Sequence, residues 1–376
     1  MIMAHDAASG YLETWQPIKG EVYGWTKTQN IPTENDMGSL LECGVRAMDW
    51  RPSVVSGEIV GHHGDIDVDH KFTDSLDEMR NWLKSNTDEF VMLNIVDCKS
   101  DESGDCSSIV RDLLKSEGIP TIDNCDDLST MTVGDIKTRG KLAEGGAMVA
   151  VFASSGSGGT GCTTQNYQEE IACWGDVNPF GVTTNTDGDN GATSMIMRKL
   201  NDLLSPYEDI ISCIDGKGID SNKQYSELQA FEQELVQACI SEYGDISNKG
   251  VLADNLKGLF SYSCHDDSSS KSTPWGQMNT YLEKVTTAGK TSAPLWQTQA
   301  LWQETTASVV IGTLNLSSLL EDEEKSKINS ILAGNIKGGL YKNVNLFEVN
   351  NACDGGGAEL MDAINSFNDK TAAALV

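Results

Sequence analysis

Short apolar runs alternate along this chain with longer stretches of helical spacing. The runs are Met1–Ala4, Val45–Trp50, Phe90–Val96, Ala147–Phe152, Ile210–Ile214, Leu259–Ser263, Leu295–Leu301 and Asn345–Val349. Continuous runs of this length, apolar on both faces, predict strands of a buried parallel sheet. Between them Leu76, Met79 and Leu83 recur at helical spacing, with Ser75 and Glu78 placed as a capping box. Leu228, Phe231 and Leu235 mark a second helix, and Leu360, Ile364 and Phe367 a third. Strands alternating with helices place the chain in the α/β class, and eight runs predict a (β/α)8 barrel of the TIM type. An open doubly wound sheet competes with it, and Ser308–Leu314 is a spare strand candidate. No repeat or linker divides the chain, so residues 1–376 are expected to form a single catalytic barrel.

One segment breaks the rhythm. Residues 154–194 are rich in Gly, Thr, Asn and Asp, which predicts a long loop insertion within the barrel. Gly156 to Gly161 spell G-x-G-x-x-G after a strand-like run, yet the following Cys162-Thr163-Thr164-Gln165-Asn166 lacks an apolar helical period. Without that helix there is no N-terminus to receive a pyrophosphate, so a dinucleotide loop is not expected.

Charge narrows the range of partners. Twenty-seven basic against 56 acidic residues give a net charge of −29, which repels nucleic-acid phosphates at long range, so no nucleic-acid partner is expected. No apolar stretch is long enough to span a bilayer as a helix. The ten cysteines contain no C-x-x-C pair, which disfavours zinc ribbons and thioredoxin-like redox chemistry. Disulfides are expected instead, with Cys98–Cys106 and Cys162–Cys173 as local candidates and extracellular secretion as the setting. Ten reduced thiols in a cytosolic protein are the alternative. Asn315-Leu316-Ser317 is a glycosylation sequon, a match that a chain of this length also produces by chance. The opening Met1-Ile2-Met3-Ala4 carries no leader pattern, so an exported protein of this sequence is expected to be a mature form or a fragment.

Only five histidines occur, and three of them fall in suggestive places. His5-Asp6 follows the first apolar run. In Val45–Arg51 strand alternation puts Asp49 and Arg51 on one face, and Gly61-His62-His63-Gly64 follows. Strand ends of a barrel converge on one mouth, where two imidazoles, carboxylates and a guanidinium suit cleavage of a phosphodiester. One imidazole removes a proton, the other protonates the leaving oxygen, and the arginine offsets phosphoryl charge. His62 is read as a support for His63, and Arg46 as structural. His70, within Asp65–His70, falls in a run that lacks the glycine and terminal glutamate of a calcium loop and is expected to be a solvated acidic loop. Trp296 and Trp302 are expected to pack in the barrel wall.

His5-Asp6 with Ser9-Gly10-Tyr11-Leu12, Gly44-Val45-Arg46 through Asp49, Arg51 and Pro52, and His62-His63-Gly64 together resemble the phosphatidylinositol-specific phospholipase C family. The likeness is clear over about residues 1–100, continues loosely at Arg139-Gly140-Lys141 and Val344–Glu348, and is lost between Ser154 and Lys257. The resemblance implies that His5 is the general base, and that Asp6 with His63 forms the general acid. Arg51 takes the place of a phosphate-contacting arginine of the metal-independent branch, with Glu348 as the nearest match to the carboxylate that orients the base. No cofactor or metal is then expected, because Arg51, Asp6 and Val96 stand where the calcium-dependent branch has ligands. The family's inositol-binding lysine and arginine have no counterparts on the third and fourth strands. Asp266 and Asp267 are candidate hydroxyl-binding residues. The expected partner is a phospholipid or other phosphodiester, met at a membrane surface by a monomer. A metal-dependent glycerophosphodiesterase or sphingomyelinase D-like barrel, and a catalytically weak headgroup binder, stay open as alternatives.

Overall fold

The computed structural model describes residues 1–12, 27–31, 36–63, 66–100, 105–123, 131–152, 163–166, 212–214, 216–219, 229–243, 274–287, 295–302 and 319–374. Twelve strands occur among them: β1 (Ile2–Ala4), β2 (Val45–Trp50), β3 (Pro52–Val55), β4 (Glu58–His63), β5 (Ile66–Lys71), β6 (Phe90–Ile95), β7 (Lys99–Ser100), β8 (Thr121–Ile122), β9 (Ala147–Phe152), β10 (Thr163–Asn166), β11 (Leu295–Gln299) and β12 (Leu346–Val349). The helices are α1 (Gly38–Glu42), α2 (Phe72–Ser85), α3 (Cys106–Ser116), α4 (Val133–Arg139), α5 (Ala230–Tyr243), α6 (Pro274–Thr287), α7 (Leu319–Ser326), α8 (Ile328–Lys337) and α9 (Gly357–Ala374).

Eight strands form one sheet in the order β10-β11-β12-β1-β2-β6-β9-β8, and every neighbouring pair is parallel. The α/β class and the parallel pairing expected from the sequence are present. No pairing between the outer strands β8 and β10 is seen among the described residues. Residues 163–166, expected in a loop, are strand β10. Residues 212–214, expected in a strand, are helical. The Cys213–Cys239 disulfide ties them to α5, where Ile214, Ile219, Val236 and Cys239 make a small apolar cluster of their own. The buried face of α5 is therefore Val236 and Cys239, and the predicted face residue Phe231 is exposed. Leu259–Ser263, Ser308–Leu314, the sequon, the Gly156–Gly161 run, the Cys162–Cys173 pair and Asp266 and Asp267 lie outside the described residues.

Alternation along the central strands sorts the core into two faces. Ile2, Ala4, Met48, Val91 and Leu93 pack against helices, notably Leu76, Met79 and Leu83 of α2. Met3, Ala47, Met92, Val149 and Leu346 pack together on the other face. The expected capping box of α2 is absent. The helix begins at Phe72, so Ser75 is buried inside it, and Glu78 instead accepts Tyr11 O–H and, at 2.8 Å, Met37 N–H.

A second sheet, ordered β5-β4-β3-β7, grows from the end of β2 and is not expected from the sequence pattern. Arg51 separates β2 from β3, and β3–β4 is a hairpin whose two turn residues, Ser56 and Gly57, have φ of 52° and 80°. That turn matches the right-handed twist of its strands, which explains a glycine there. His70, expected in a loop, lies in β5, where its ring stacks on Tyr11 with centroids 3.5 Å apart. The hairpin meets the segment after β1 closely. A Cβ on Gly61 would lie 2.3 Å from Ala8 Cβ, so only glycine permits this approach.

Three disulfides join described residues: Cys43–Cys353, Cys98–Cys106 and Cys213–Cys239. Cys43–Cys353 joins the entry to β2 with the segment after β12, across 310 residues of chain. Replacing both Cys43 and Cys353 by Ser is expected to lower the unfolding free energy by about 2–5 kcal/mol. Urea-denaturation midpoints with and without the substitutions provide the measurement, and coincident midpoints would show that the bridge does not form in solution.

Candidate active site

The polar residues of the site continue the face that carries Met3, Ala47, Met92 and Leu346. Two residues further along each strand stand His5, Asp49, Asn94 and Glu348, all buried. Two further still come Arg51 and Asn350. Alternation alone thus stacks an apolar layer, a polar layer and, beyond it, Arg51 and Asn350. His5 N–H bonds Val349 O at 3.1 Å, which extends the pairing of β1 and β12 past the last strand residue. Asp6 then takes a left-handed conformation with φ of 41°, a region that aspartate tolerates better than most residues. The turn points the Asp6 backbone N–H at Asp49 Oδ2, 3.0 Å away. Thr28 Oγ1 and Gln29 Nε2 donate to His5 O at 2.7 and 3.1 Å and hold this corner from outside.

Arg51 occupies the centre. Its Nη2 donates to Asp49 Oδ2 and to His5 Nε2, both at 2.9 Å, and its Nη1 lies 3.7 Å from Asp6 Oδ2. Asp6 Oδ2 in turn accepts from His63 Nδ1. His5, Arg51, Asp6 and His63 therefore form one chain of contacts, with Arg51 and His63 partly open to solvent and the other two buried. His63 arrives on β4 of the second sheet. Its neighbour His62, expected to support it, is buried and donates Nε2–H to Asp97 O at 2.5 Å.

Electrostatics follow from this geometry. Burial, then the Arg51 charge, lowers the His5 pKa from 6.5 to about 4 against the pull of Asp49 and Asp6, so His5 is a neutral imidazole at neutral pH. Burial tends to raise the Asp6 pKa, but Arg51 and His63 outweigh it and bring it down to about 2. Burial works against the Arg51 charge, yet Asp49 and Asp6 hold its pKa above the ordinary value. Burial, then Asp49, raises the Glu348 pKa from 4.5 to about 8, while Gln297 Nε2 donates to its Oε2 at 2.7 Å.

His5, Asp49 and Glu348 each bring one donor atom within 4.8 Å of the others, an arrangement that could hold a cation. Arg51 Nη2 already bonds two of the three, so a fixed positive charge sits where the ion would go. The Asp97 side chain is exposed and outside this group.

Of the expected site residues, His5, Asp6, Asp49, Arg51, His63 and Glu348 come together. One contact differs from expectation: His5 Nδ1 bonds Asn350 Oδ1 at 2.8 Å, and the bond expected from Glu348 is not made. Sequence reasoning passes over Asn350, although its place two residues after Glu348 puts it on the same face of the strand. It passes over Asn94, Gln297, Thr28 and Gln29 as well, since amides and hydroxyls carry no motif. Arg46 is structural as expected, bonded to Glu89 and Leu41 O and stacked on Trp82 at 4.8 Å. Trp302 is buried and donates Nε1–H to Ser326 Oγ at 2.9 Å.

A pH measurement checks the state of Glu348. Its folded pKa of about 8 lies above the ordinary 4.5, so the stability it contributes is complete below 4.5 and is lost as pH rises through 8. Glu348→Gln keeps the shape and removes the proton. The stability of the wild type minus that of Glu348→Gln is expected to fall steadily across this range, other titrating groups cancelling in the difference. A flat difference would show that Glu348 is ionised in the folded protein.

No known family profile matches the chain, and no curated protein matches it either. Solved structures do. A structure of Staphylococcus aureus phosphatidylinositol-specific phospholipase C, described in connection with its membrane binding, aligns over 96% of this chain and 91% of its own, at 15% identity and a TM-score of 0.46. A double mutant of the same enzyme aligns over 96% and 90% at 15% identity, with a TM-score of 0.46. The chain is thus similar, at low identity, to structures of phosphatidylinositol-specific phospholipase C.

Proposed function

We propose that this chain is a phosphodiester-cleaving enzyme of the phosphatidylinositol-specific phospholipase C type, working without a resident metal. The observation that carries the reading is the contact chain from His5 through Arg51 and Asp6 to His63. Two imidazoles flank one guanidinium, each in a different electrostatic setting. His5 stays neutral and can accept a proton, while Asp6 stays ionised and accepts a hydrogen bond from His63 Nδ1. A neutral imidazole on one side and a carboxylate-bound imidazole on the other suit the roles of base and acid.

In this reading a substrate phosphate enters at the partly open Arg51 and His63. It draws the guanidinium from His5 Nε2 towards its own oxygens, which frees the lone pair of the base. His5 then takes the proton of the attacking hydroxyl, the 2-hydroxyl for an inositol headgroup. The hydroxyl oxygen bonds to phosphorus, and His63 delivers a proton to the departing diacylglycerol oxygen. A cyclic phosphate results, which water can later open. Asp49 anchors Arg51 throughout, at 2.9 Å. An extracellular setting for the disulfides and action as a monomer at a lipid surface complete the proposal.

Phosphorus NMR of products from phosphatidylinositol vesicles and from a panel of glycerophosphodiesters tests it. A cyclic inositol phosphate formed equally with and without EDTA is the expected result. Loss of activity in EDTA with recovery in Ca²⁺ or Mg²⁺ would place the chain with metal-dependent diesterases instead. Arg51→Lys keeps the charge but loses the planar fork, and a drop of about 10²–10³ in rate is expected. His5→Ala and His63→Ala are each expected to cost more, because each leaves a proton without a carrier.

A further inference from the structure

We infer that Asn350, held by Glu323, is a positioning residue that fixes His5 as its Nδ1–H tautomer and leaves Nε2 as the basic atom. The catalytic meaning of this inference rests on the base assigned above; the tautomer itself rests on geometry alone.

Two independent constraints meet at the imidazole. From one side, the Arg51 guanidinium can only donate, so Nε2, 2.9 Å from Nη2, must accept. The single proton of the neutral ring then sits on Nδ1. From the other side, the orientation of the Asn350 amide is set without reference to His5. Its Nδ2 lies 3.1 Å from Trp302 O and 3.0 Å from Glu323 Oε1, and both are acceptors. Only the NH₂ end fits there, so the Oδ1 end faces His5 and requires a donor. His5 Nδ1, 2.8 Å away, supplies it. Glu323 Oε1 is itself fixed by Trp302 N–H at 2.9 Å. His5, Asn350 and Glu323 are all buried, so water does not compete for these bonds.

The chemistry differs from that of a carboxylate placed directly against the ring. An amide oxygen orients the imidazole as well as a carboxylate does, but adds no full negative charge to stabilise the imidazolium. The nearest carboxyl on this side stands one residue further off, on Glu323. The charged and titratable groups around His5 are then Asp6, next in the chain; Asp49 and Arg51 from β2 and its end; Glu348 from β12; and His63 beyond Asp6. The device holds the base in one orientation without setting a full negative charge against the ring.

Long-range proton–nitrogen NMR correlations on the full chain with ¹⁵N-labelled histidine read the tautomer directly, His5 being assigned by its absence in His5→Gln. A single neutral Nδ1–H form at neutral pH is expected. Asn350→Asp is expected to raise the proton affinity of His5 by roughly tenfold or more, since it sets a full charge beside the ring. Asn350→Ala is expected to keep the Nδ1–H tautomer that Arg51 dictates in the resting protein, but to free the ring and so to lower kcat more than KM. Glu323→Gln retains an oxygen for both bonds and is expected to keep the ring held, whereas Glu323→Ala is expected to lower kcat in the manner of Asn350→Ala. An Nε2–H tautomer in the wild type, or an unmoved titration in Asn350→Asp, would overturn the inference. The wild-type spectrum needs neither a folded variant nor a substrate. A locked tautomer in a protein that cleaves no phosphodiester would therefore overturn the proposed function alone.

Discussion

Two carboxylates buried side by side repel one another and lose their hydration, at a cost of several kcal/mol per ion unless a counter-charge is built in. Arg51 is that counter-charge for Asp6 and Asp49. The position of nearly every other site residue follows from this need. Asp49 is anchored by the guanidinium and by the Asp6 backbone N–H, which requires the left-handed turn after β1. That turn carries Asp6 towards His63, and the same guanidinium depresses the proton affinity of His5. At Glu348 burial and the Asp49 charge outweigh the pull of Arg51, and the group meets the problem by holding a proton. One fixed positive charge, shared among unequal partners, is enough to set different protonation states on groups a few ångströms apart.

Because the arginine is already committed to three partners, its role in the resting protein differs from the one proposed during turnover. Its bond to His5 Nε2 caps the lone pair that a base would use. An anionic phosphodiester offers the guanidinium a stronger acceptor than an imidazole, so substrate binding and release of the base become a single event. Asn350 keeps the ring in place while Arg51 moves, since its bond is to the opposite nitrogen.

The sequence is most legible where periodicity and chemistry coincide. Asp49 and Arg51 stand two apart on an apolar strand, and His5-Asp6 ends another, so alternation and residue type point to the same place. The second sheet is not legible because β3 to β5 are short, polar and edge-like, and Asp67, Asp69 and His70 read as loop residues when taken alone. Register lies in the turn at Ser56-Gly57 and in the approach of Gly61 to Ala8, neither of which is apparent without the fold. Asn350 escapes notice for a different reason. Its importance comes from a strand running two residues beyond its apolar stretch, where a neutral amide resembles any turn residue. The expected strand at Ile210–Ile214 fails because a disulfide and a local cluster outweigh β-propensity there.

The two halves of the site are carried by different parts of the fold, and this constrains how they stay aligned. His5, Asp49, Arg51, Glu348 and Asn350 stand at the ends of parallel strands whose register is set by the main sheet. His63 comes from the hairpin of the second sheet, joined to the first through Arg51 itself. The hairpin is seated by Gly61 against Ala8, by His62 on Asp97 O, and by Cys98–Cys106, which anchors the segment that supplies that carbonyl. Among the site residues, the Asp6 side chain bridges the two halves, touching Arg51 on one side and His63 on the other. A displacement of the hairpin by even an ångström would lengthen the Asp6–His63 contact while leaving the His5–Arg51–Asp49 group intact, so the proposed acid is the half of the site most exposed to changes in packing.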